Sequence, residues 1–412
     1  MNLANVNITA ALPGNHIEPS IAVNTLSPNF LCVVSVDDST GTALTGFYRS
    51  TDGGQTWSTT ILQQAPGYMS AEAPTIDYTF PNTFIVAVHF FNEFDDGTIA
   101  TYTSFDNGAT FNPPVIVQQG FGLYIHNDEP FLAVDRSPSS PYRGNAYVGY
   151  TPLYDLAQNA AIFFQRSLDQ GLTWERPQRI SDPRGDLERA ALVVGLAGEV
   201  YVGYIQLGPA PKYALIRVSQ DGGVTFSPPV SRGATLIANT VPVPSPLPVP
   251  NYAFRVQTNL SLGADISAGP FGGFVYAVWN DFRLGYADIF FSRSPDGLLW
   301  SQPVNITGAP AGSQNFSPSI TVSPSNGTIR VIYYTNRIDG FLLDVFVAES
   351  INSGLSFTNR RVSDVSTNPN GNSPTPVPLI GDYITAATIF PNTLGAVWND
   401  TRLGKQDIIF GN

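Results

Sequence analysis

The chain has 412 residues, of which 43% are hydrophobic, 12% aromatic and 13% charged. This content supports a large packed core and excludes a disordered chain, while 37 Gly and 34 Pro exclude a coiled coil or a helical bundle. The net charge of −12 repels phosphates and no apolar run reaches about 18 residues, so neither nucleic acid binding nor membrane insertion is expected. The first residues lack the basic and apolar regions of a signal peptide.

Short strand-like runs begin with residues 19–23 and 30–36, and a turn motif follows the third strand-like run at residues 50–57. The motif has the form Ser-x-Asp-x-Gly-x-Thr-aromatic and recurs along the whole chain. Asp closes onto backbone amides and Gly supplies a positive φ, so each copy predicts a hairpin turn. The six acidic or amide positions are Asp52, Asp106, Asp169, Asp221, Asp296 and Asn352.

Each copy lies in a unit of four short predicted strands, the pattern of one β-propeller blade. The sequence therefore predicts an all-β, seven-bladed propeller that fills a single domain, 1–412, and a six-bladed ring with an appended hairpin is the alternative. Residues 5–9 resemble the outer strand at 303–307, so we expect the N-terminal strand to pair with 406–410 and close the ring. The predicted blades span 11–66, 67–120, 121–182, 183–235, 251–308, 309–366, and 379–412 together with 1–10.

Two other features interrupt the repeat. The loops at 279–285 and 398–404 share the pattern Trp-Asn-Asp-x-Arg-Leu-Gly, which predicts a local ion pair between Asp and Arg. Residues 241–250 alternate Pro with other residues and favour an extended, exposed loop. This loop either covers the channel mouth or docks a protein partner.

The Ser-x-Asp-x-Gly-x-Thr-Trp/Phe copies resemble the Asp boxes, or bacterial neuraminidase repeats, of the sialidase superfamily. The resemblance implies a glycan or glycoconjugate ligand at the axial mouth and an extracellular or cell-surface location. Sialidases clamp the sialic acid carboxylate with three arginines, the first in an Arg-Ile-Pro motif, whereas this chain has His16-Ile17-Glu18-Pro19 there. We therefore expect glycan recognition with little or no sialidase activity. The alternatives are an exo-acting glycoside hydrolase with a non-standard substrate and an interaction scaffold without a small ligand.

The same resemblance nominates candidate site residues. Sialidases use a Tyr nucleophile activated by Glu and an Asp acid/base. The matching catalytic candidates are Tyr383, Glu188 and Asp382. The candidate substrate-binding residues, which lie at the starts of the inner strands, are Arg189, Arg255, Glu18, Glu72, Glu129, His16 and His126.

Two further interpretations concern the same charges. The arginines could instead cap the carboxylates in a structural network between blades. Converging carboxylates need protons or a cation to coexist, and oxygen ligands suit Ca²⁺, for which Asp128 and Glu129 are the candidate ligands. The chain has three histidines, so a zinc site is not expected.

Overall fold

A computed structural model describes residues 5–94, 96–122, 124–154, 159–181, 187, 189–208, 211–371 and 378–412. The Glu188 prediction lies outside these residues. The described strands form seven antiparallel sheets, each with four strands in a simple path from the inner to the outer strand. The fold is a seven-bladed β-propeller, as predicted.

The blades are numbered in chain order, and the strands of each run from inner to outer. Blade 1 contains His16–Val23, Leu31–Asp37, Leu44–Ser50 and Ser58–Leu62. Blade 2 contains Ser70–Thr79, Thr83–Phe91, Thr98–Ser104 and Val115–Gln118. Blade 3 contains Ile125–Val134, Ala146–Tyr154, Phe163–Ser167 and Gln178–Arg179, with Asn159–Ala160 paired beside its second strand. Blade 4 contains Ala191–Val194, Val200–Gln206, Lys212–Ser219 and Thr235–Thr240, the last preceded by the short 3₁₀ helix Val230–Arg232. Its outer strand therefore ends at 240 rather than at the predicted 235.

The remaining blades follow the same plan. Blade 5 contains Leu260–Ala264, Val275–Asp281, Asp288–Ser294 and Val304–Asn305. Blade 6 contains Asn315–Val322, Ile329–Thr335, Asp344–Ser350 and Thr358–Arg361. Blade 7 contains Thr385–Ile389, Thr393–Asp400, Asp407–Gly411 and, as its outer strand, Val6–Asn7.

The N-terminal strand closes the ring. Val6 pairs with Phe410 and Asn7 with Ile409, and the Thr9 hydroxyl donates to Asp407 Oδ1 at 2.8 Å. The corresponding residue of Blade 5, Thr307, donates to Asp288 Oδ1 at 2.6 Å. The predicted closure is confirmed, and it removes a sheet edge that would otherwise expose unpaired backbone groups.

The Asp-box hairpins have the predicted turn geometry. In the first copy, Asp52 accepts hydrogen bonds from the Ser50 hydroxyl at 2.8 Å, the Thr56 amide at 3.0 Å and the Thr56 hydroxyl at 2.6 Å. Hydrogen bonds from Thr56 and Ser50 lower the pKa of Asp52 to about 2. In the amide copy one of these bonds is reversed, because Asn352 donates to the Ser356 hydroxyl at 2.9 Å. Each box is therefore stabilised by hydrogen bonds within its own hairpin turn.

The boxes also join neighbouring blades. In four boxes the aromatic residue packs edge-to-face on an aromatic residue of the preceding blade, as Phe111 does on Phe47 with ring centroids 4.8 Å apart. The arginine before a box reaches the next box: Arg49 Nε donates to the Asn107 carbonyl at 2.7 Å. Each hairpin is thus part of an interface between blades as well as a turn.

Strand direction places the two ends of the blades on opposite faces. Because the strands alternate in direction, the inner strands begin on the face that also carries the loops between second and third strands. The Asp boxes join third and outer strands and so lie on the other face. We call the first of these the mouth face, and it is the face where the candidate residues of the inner strands converge.

The Pro-rich segment 241–250 is more buried than predicted. Val243 and Leu247 are 8% and 1% exposed within a core cluster shared with Blades 6 and 7. Further along the connection, the Tyr252 hydroxyl donates to the Phe341 carbonyl at 2.6 Å and the Arg255 amide to the Pro378 carbonyl at 2.8 Å. The predicted exposed loop is therefore only partly exposed, because Val243 and Leu247 pack into the core cluster while Val241 and Ser245 face the solvent. The connection between Blades 4 and 5 therefore covers the mouth face on the side of Blades 5 to 7.

The predicted ion pairs in the two Trp-Asn-Asp loops are present. Arg283 donates from Nε and Nη2 to the two carboxylate oxygens of Asp281 at 2.9 and 2.6 Å, and Arg402 Nη2 donates to Asp400 at 2.8 Å. Trp279 and Trp398 are buried in the core. Among the described residues, no helix has the length and apolarity needed to span a membrane.

Candidate functional site

Four inner strands share a left-handed bulge immediately before a proline. The residues with positive φ are Glu18 (59°), Ala73 (47°), Glu129 (50°) and Ser317 (51°), and the strand register shifts at each of these points. A non-glycine residue before proline rarely adopts this conformation, and such strain concentrates at functional sites. The bulges turn the beginnings of Blades 1, 2, 3 and 6 on the mouth face, and two of them carry Glu.

Contacts from Blade 7 hold the Glu18 bulge. Its amide donates to Asn399 Oδ1 at 3.2 Å, and Asn399 Nδ2 donates to the His16 carbonyl at 2.6 Å. Gly381 approaches closely, since a Cβ there would lie 3.0 Å from the Glu18 nitrogen. Glu18 is 7% exposed and so has a rigid, nearly dry position.

Burial and neighbouring charges favour the protonated form of Glu18. Desolvation raises its pKa well above the ordinary value, the charges of Asp382, Glu72 and Glu129 raise it further, and Arg189 opposes them. These groups come from Blades 1, 2, 3, the start of 4, and 7, so the structure brings together predicted residues that are far apart in sequence. The Glu18 carboxyl group therefore lies among other carboxyl groups and one buried guanidinium group.

Arg189 is the buried cation of the cluster. It is 5% exposed, and its Nε and Nη2 atoms meet no hydrogen-bond partner in the described part of the chain. Its guanidinium carbon lies 4.3 Å from the centre of the Tyr383 ring. Burial lowers the pKa of Arg189. The net shift is nevertheless upward, because four neighbouring groups raise this pKa: Glu129, Tyr383, Glu18 and Asp382. A buried donor without an acceptor is costly, so this guanidinium is a strong candidate for a ligand contact.

Arg255 differs from Arg189 because it is already paired. Its Nε donates to Asp382 Oδ1 at 3.2 Å and its Nη2 to Oδ2, a bidentate pair. Burial raises the pKa of Asp382, while Arg255 and Arg189 lower it. The pair matches the interpretation in which an arginine caps a carboxylate between blades.

Tyr383 is engaged through its hydroxyl. The hydroxyl donates to the Pro74 carbonyl at 2.8 Å. Burial, followed by the charge of Glu18, raises the pKa of Tyr383 well above its ordinary value. The base predicted for this hydroxyl, Glu188, lies outside the described residues, so the sialidase role of Tyr383 stays a prediction.

The histidines occupy different environments. His16 is fully buried, with Nδ1 3.1 Å from the Tyr48 hydroxyl and 3.4 Å from Asp37, and therefore does not line the mouth. The His16 side chain points into the blade, and its role in substrate binding stays a prediction. His126 instead lies beside His89, with ring centroids 4.8 Å apart. His89 was not among the candidates, since a histidine inside an apolar strand gives no sequence signal for a site.

Aromatic side chains on the mouth face were also missed. Phe121 and Tyr124 are 69% and 70% exposed, with ring centroids 6.2 Å apart, in the connection between Blades 2 and 3. The Gly122 amide donates to Asp96, which ties this connection to the loop that carries the exposed Phe94. Glu72 lies on the neighbouring strand and is exposed. Large exposed rings beside polar groups are typical of surfaces that bind a ligand or a partner.

Comparison with known proteins supports the resemblance at the level of fold. The BNR/Asp-box repeat family model matches residues 48–59. No curated protein matches the sequence. Among solved structures, the chain is similar to the Hadza microbial sialidase Hz136, with a TM-score of 0.52 and 13% identity over 93% of this chain and 74% of that one.

Two further enzymes show the same degree of similarity. The GH93 alpha-L-arabinofuranosidase of Fusarium graminearum has a TM-score of 0.52 at 14% identity, covering 100% of this chain and 97% of that one. The alpha-L-arabinanase of Penicillium chrysogenum has the same TM-score and identity, covering 100% and 98%. At these identities the likeness concerns the fold alone. The chain is thus a seven-bladed β-propeller with an Asp-box repeat, and its fold is similar to that of sialidases.

Proposed function

We propose that the protein recognises a neutral saccharide at the mouth face and has little or no sialidase activity. The observation that carries the proposal is the buried Arg189, whose Nε and Nη2 have no acceptor among the described residues. Sugar hydroxyl and ring oxygens are acceptors of the right kind for these donors. The exposed rings of Phe121 and Tyr124 offer further apolar faces on the same mouth face.

The charges around Arg189 favour a neutral ligand over an anionic one. Glu129, Glu18 and Asp382 all act on Arg189, and Asp382 is already paired with Arg255. A sialic acid carboxylate would therefore meet more carboxyl groups than free guanidinium groups. The position of the first sialidase arginine is held by Glu18, which cannot clamp a carboxylate.

The test is a binding titration with arabinobiose, other neutral disaccharides and 3′-sialyllactose, in parallel with a glycan array. We expect saturable binding of a neutral glycan and no release of sialic acid. Arg189→Lys keeps the charge but loses the planar fork, and should weaken binding by about tenfold or more. Arg293→Lys is the matched control, since Arg293 donates to the Ser353 carbonyl on the Asp-box face.

Two results would contradict the proposal. One is preferential binding or hydrolysis of the sialoside, and the other is equal loss of binding in Arg189→Lys and Arg293→Lys. Absence of binding to every glycan tested would favour an interaction scaffold without a small ligand.

A second candidate function, that of an exo-acting glycoside hydrolase, is favoured by the buried carboxyl group of Glu18 and the carboxyl groups around it. A carboxyl group held neutral beside ionised ones is the arrangement that supplies a general acid next to a nucleophile or base. The raised pKa of Glu18 favours the protonated form of its carboxyl group, and Glu72 and Glu129 act on it electrostatically. Aryl arabinofuranosides and aryl glucosides test it: aglycone release that Glu18→Gln abolishes would establish hydrolysis, and no release with intact binding would exclude it for these substrates.

The extracellular or cell-surface location and a protein partner at 241–250 belong to the same proposal. The exposed residues of that segment, such as Val241, which is 44% exposed, support the partner. Pull-down with a variant in which the exposed residues of 241–250 are changed to Ser tests it, and unchanged partner recovery would count against it.

A further inference from the structure

His89, His126 and Asp128 form a compact group at the boundary of Blades 2 and 3. One ligand atom from each residue lies within 4.8 Å of the other two. His89 Nδ1 is 3.0 Å from Asp128 Oδ1, and the His89 and His126 rings meet edge-to-face. Within the described ranges, this is the one group of three His, Cys, Asp or Glu side chains with such spacing.

The fold brings these residues together from two blades. His89 lies near the end of the second strand of Blade 2, on the mouth face. His126 and Asp128 are two residues apart in the inner strand of Blade 3, so the strand alternation places both side chains on one side. The Asn127 amide donates to the Gly97 carbonyl at 3.1 Å and fixes the two blades against each other at this point.

The donor set identifies the kind of ion. Two imidazole nitrogens and one carboxylate suit a divalent transition metal such as Zn²⁺, whereas Ca²⁺ takes six to eight oxygen ligands. We propose that His89, His126 and Asp128 form a divalent transition-metal site that links Blade 2 to Blade 3 at the rim of the mouth. Open coordination positions would be filled by water or by an oxygen of a ligand.

Binding of the ion would draw the three ligand atoms closer together than they lie in the free protein. In a tetrahedral zinc site with bonds of about 2.0–2.1 Å, ligand atoms lie about 3.3 Å apart. The Asp128 side chain is 34% exposed and His126 is half-buried, so both can rotate by the small amount needed. His89 is 1% exposed and packs on Phe91 with ring centroids 4.1 Å apart, and it forms the fixed side of the site.

A second His–Asp pair in the chain shows what a purely structural pair looks like. His16 lies 3.4 Å from Asp37, and its two ring nitrogens are also met by the Tyr48 hydroxyl and the Pro13 carbonyl. His89 lies 3.0 Å from Asp128, but its buried Nε2 meets no partner among the described residues. Both ring nitrogens of His16 therefore have partners within the protein, whereas Nε2 of His89 has none among the described residues. This difference makes His16 the matched control.

The experiment uses the full chain after treatment with a chelator and dialysis. Co²⁺ is added in steps, with binding followed by the visible d–d absorption of the ion and by calorimetry, and Zn²⁺ is then used to displace it. We expect one equivalent of Co²⁺ to bind, a rise in Tm, and displacement by Zn²⁺. His126→Gln should weaken binding by about tenfold or more, because ligand and near-ligand changes have effects of this size.

Controls separate the site from general effects on folding. His16→Gln should lower Tm but leave the Co²⁺ affinity unchanged, and Ca²⁺ should not compete. If His126→Gln does not fold, Asp128→Asn provides the same comparison at a partly exposed position. Absence of saturable Co²⁺ binding to the wild-type chain, or equal affinity in wild type, His126→Gln and Asp128→Asn, would overturn the proposal whatever the outcome of the glycan tests.

Discussion

At the scale of single residues, the backbone bulge sets where a side chain points, and the residue type sets which chemical group it presents there. The same left-handed bulge carries Glu in Blades 1 and 3, Ala in Blade 2 and Ser in Blade 6. Only the Glu residues bring a carboxyl group to the mouth, and Glu18 is the more informative of the two because it is buried and interacts with Arg189. The bulge is thus a reusable position on which the ring presents different groups.

Glu18→Gln should stabilise the protein increasingly as pH rises. The raised pKa of Glu18 means that its contribution to stability is complete below the ordinary value of 4.5 and is lost as pH rises through the folded-state pKa. Gln is neutral throughout and escapes this loss. We expect Tm of the variant and wild type to agree near pH 4, and the variant to melt higher at neutral pH, as measured by calorimetry across this range.

The control for this prediction is Glu93→Gln, which removes one exposed negative charge on the same face. It should give a Tm difference with little dependence on pH. The groups that act on Glu18 are Asp382, Glu72, Arg189, Glu129 and Tyr383. A Glu18→Gln variant that loses stability relative to wild type as pH rises would contradict the assigned protonation.

At the scale of the hairpin, glycine has two tasks. The Asp-box Gly223 has a φ of 86°, which favours glycine, and a Cβ there would lie 2.8 Å from the Phe164 ring of the preceding blade. Gly54 meets Phe410 in the same way across the closed ring. The box sequence is therefore constrained by the neighbouring blade, which a turn rule alone does not reveal.

Substitution of two glycines separates these tasks. Gly285 has a φ of 82°, and a Cβ there would meet no atom within 4 Å. We expect Gly285→Ala to lower the free energy of unfolding by about 1–2 kcal/mol through backbone strain alone. Gly223→Ala adds the clash with Phe164 and should cost about 1–3 kcal/mol more. Urea unfolding measures both, and equal losses would show that the interface between blades does not constrain the box.

At the scale of the whole molecule, ring closure depends on very few residues. Two register pairs and the hydrogen bonds of Ile8 and Thr9 attach the N-terminal strand to Blade 7. Ile8 is buried in a core cluster that also contains residues of Blade 1, so the strand links the first and last blades in the core. Loss of this strand exposes both an apolar surface and a sheet edge.

Deletion of residues 1–9 should therefore lower Tm sharply and produce oligomers or aggregates. Size-exclusion chromatography with light scattering and thermal unfolding would measure both effects. Deletion of residues 1–4 is the control and should leave the protein monodisperse, because the paired residues remain. A monodisperse 1–9 deletion with the Tm of wild type would contradict the role of the closing strand.

The sequence by itself determined the seven blades, the hairpin boxes and the closing strand, because each depends on local turn chemistry and strand alternation repeated along the chain. It also identified Glu18, Arg189 and Asp382 as residues of one region, since equivalent positions of inner strands converge on the axis.

Only the tertiary structure decided which of these groups are already engaged within the protein. It paired Arg255 with Asp382, engaged the Tyr383 hydroxyl, buried His16, and brought His89 of one blade to His126 and Asp128 of the next. Burial, side-chain rotation and contacts between blades control these outcomes, and they depend on residues that are far apart in the sequence.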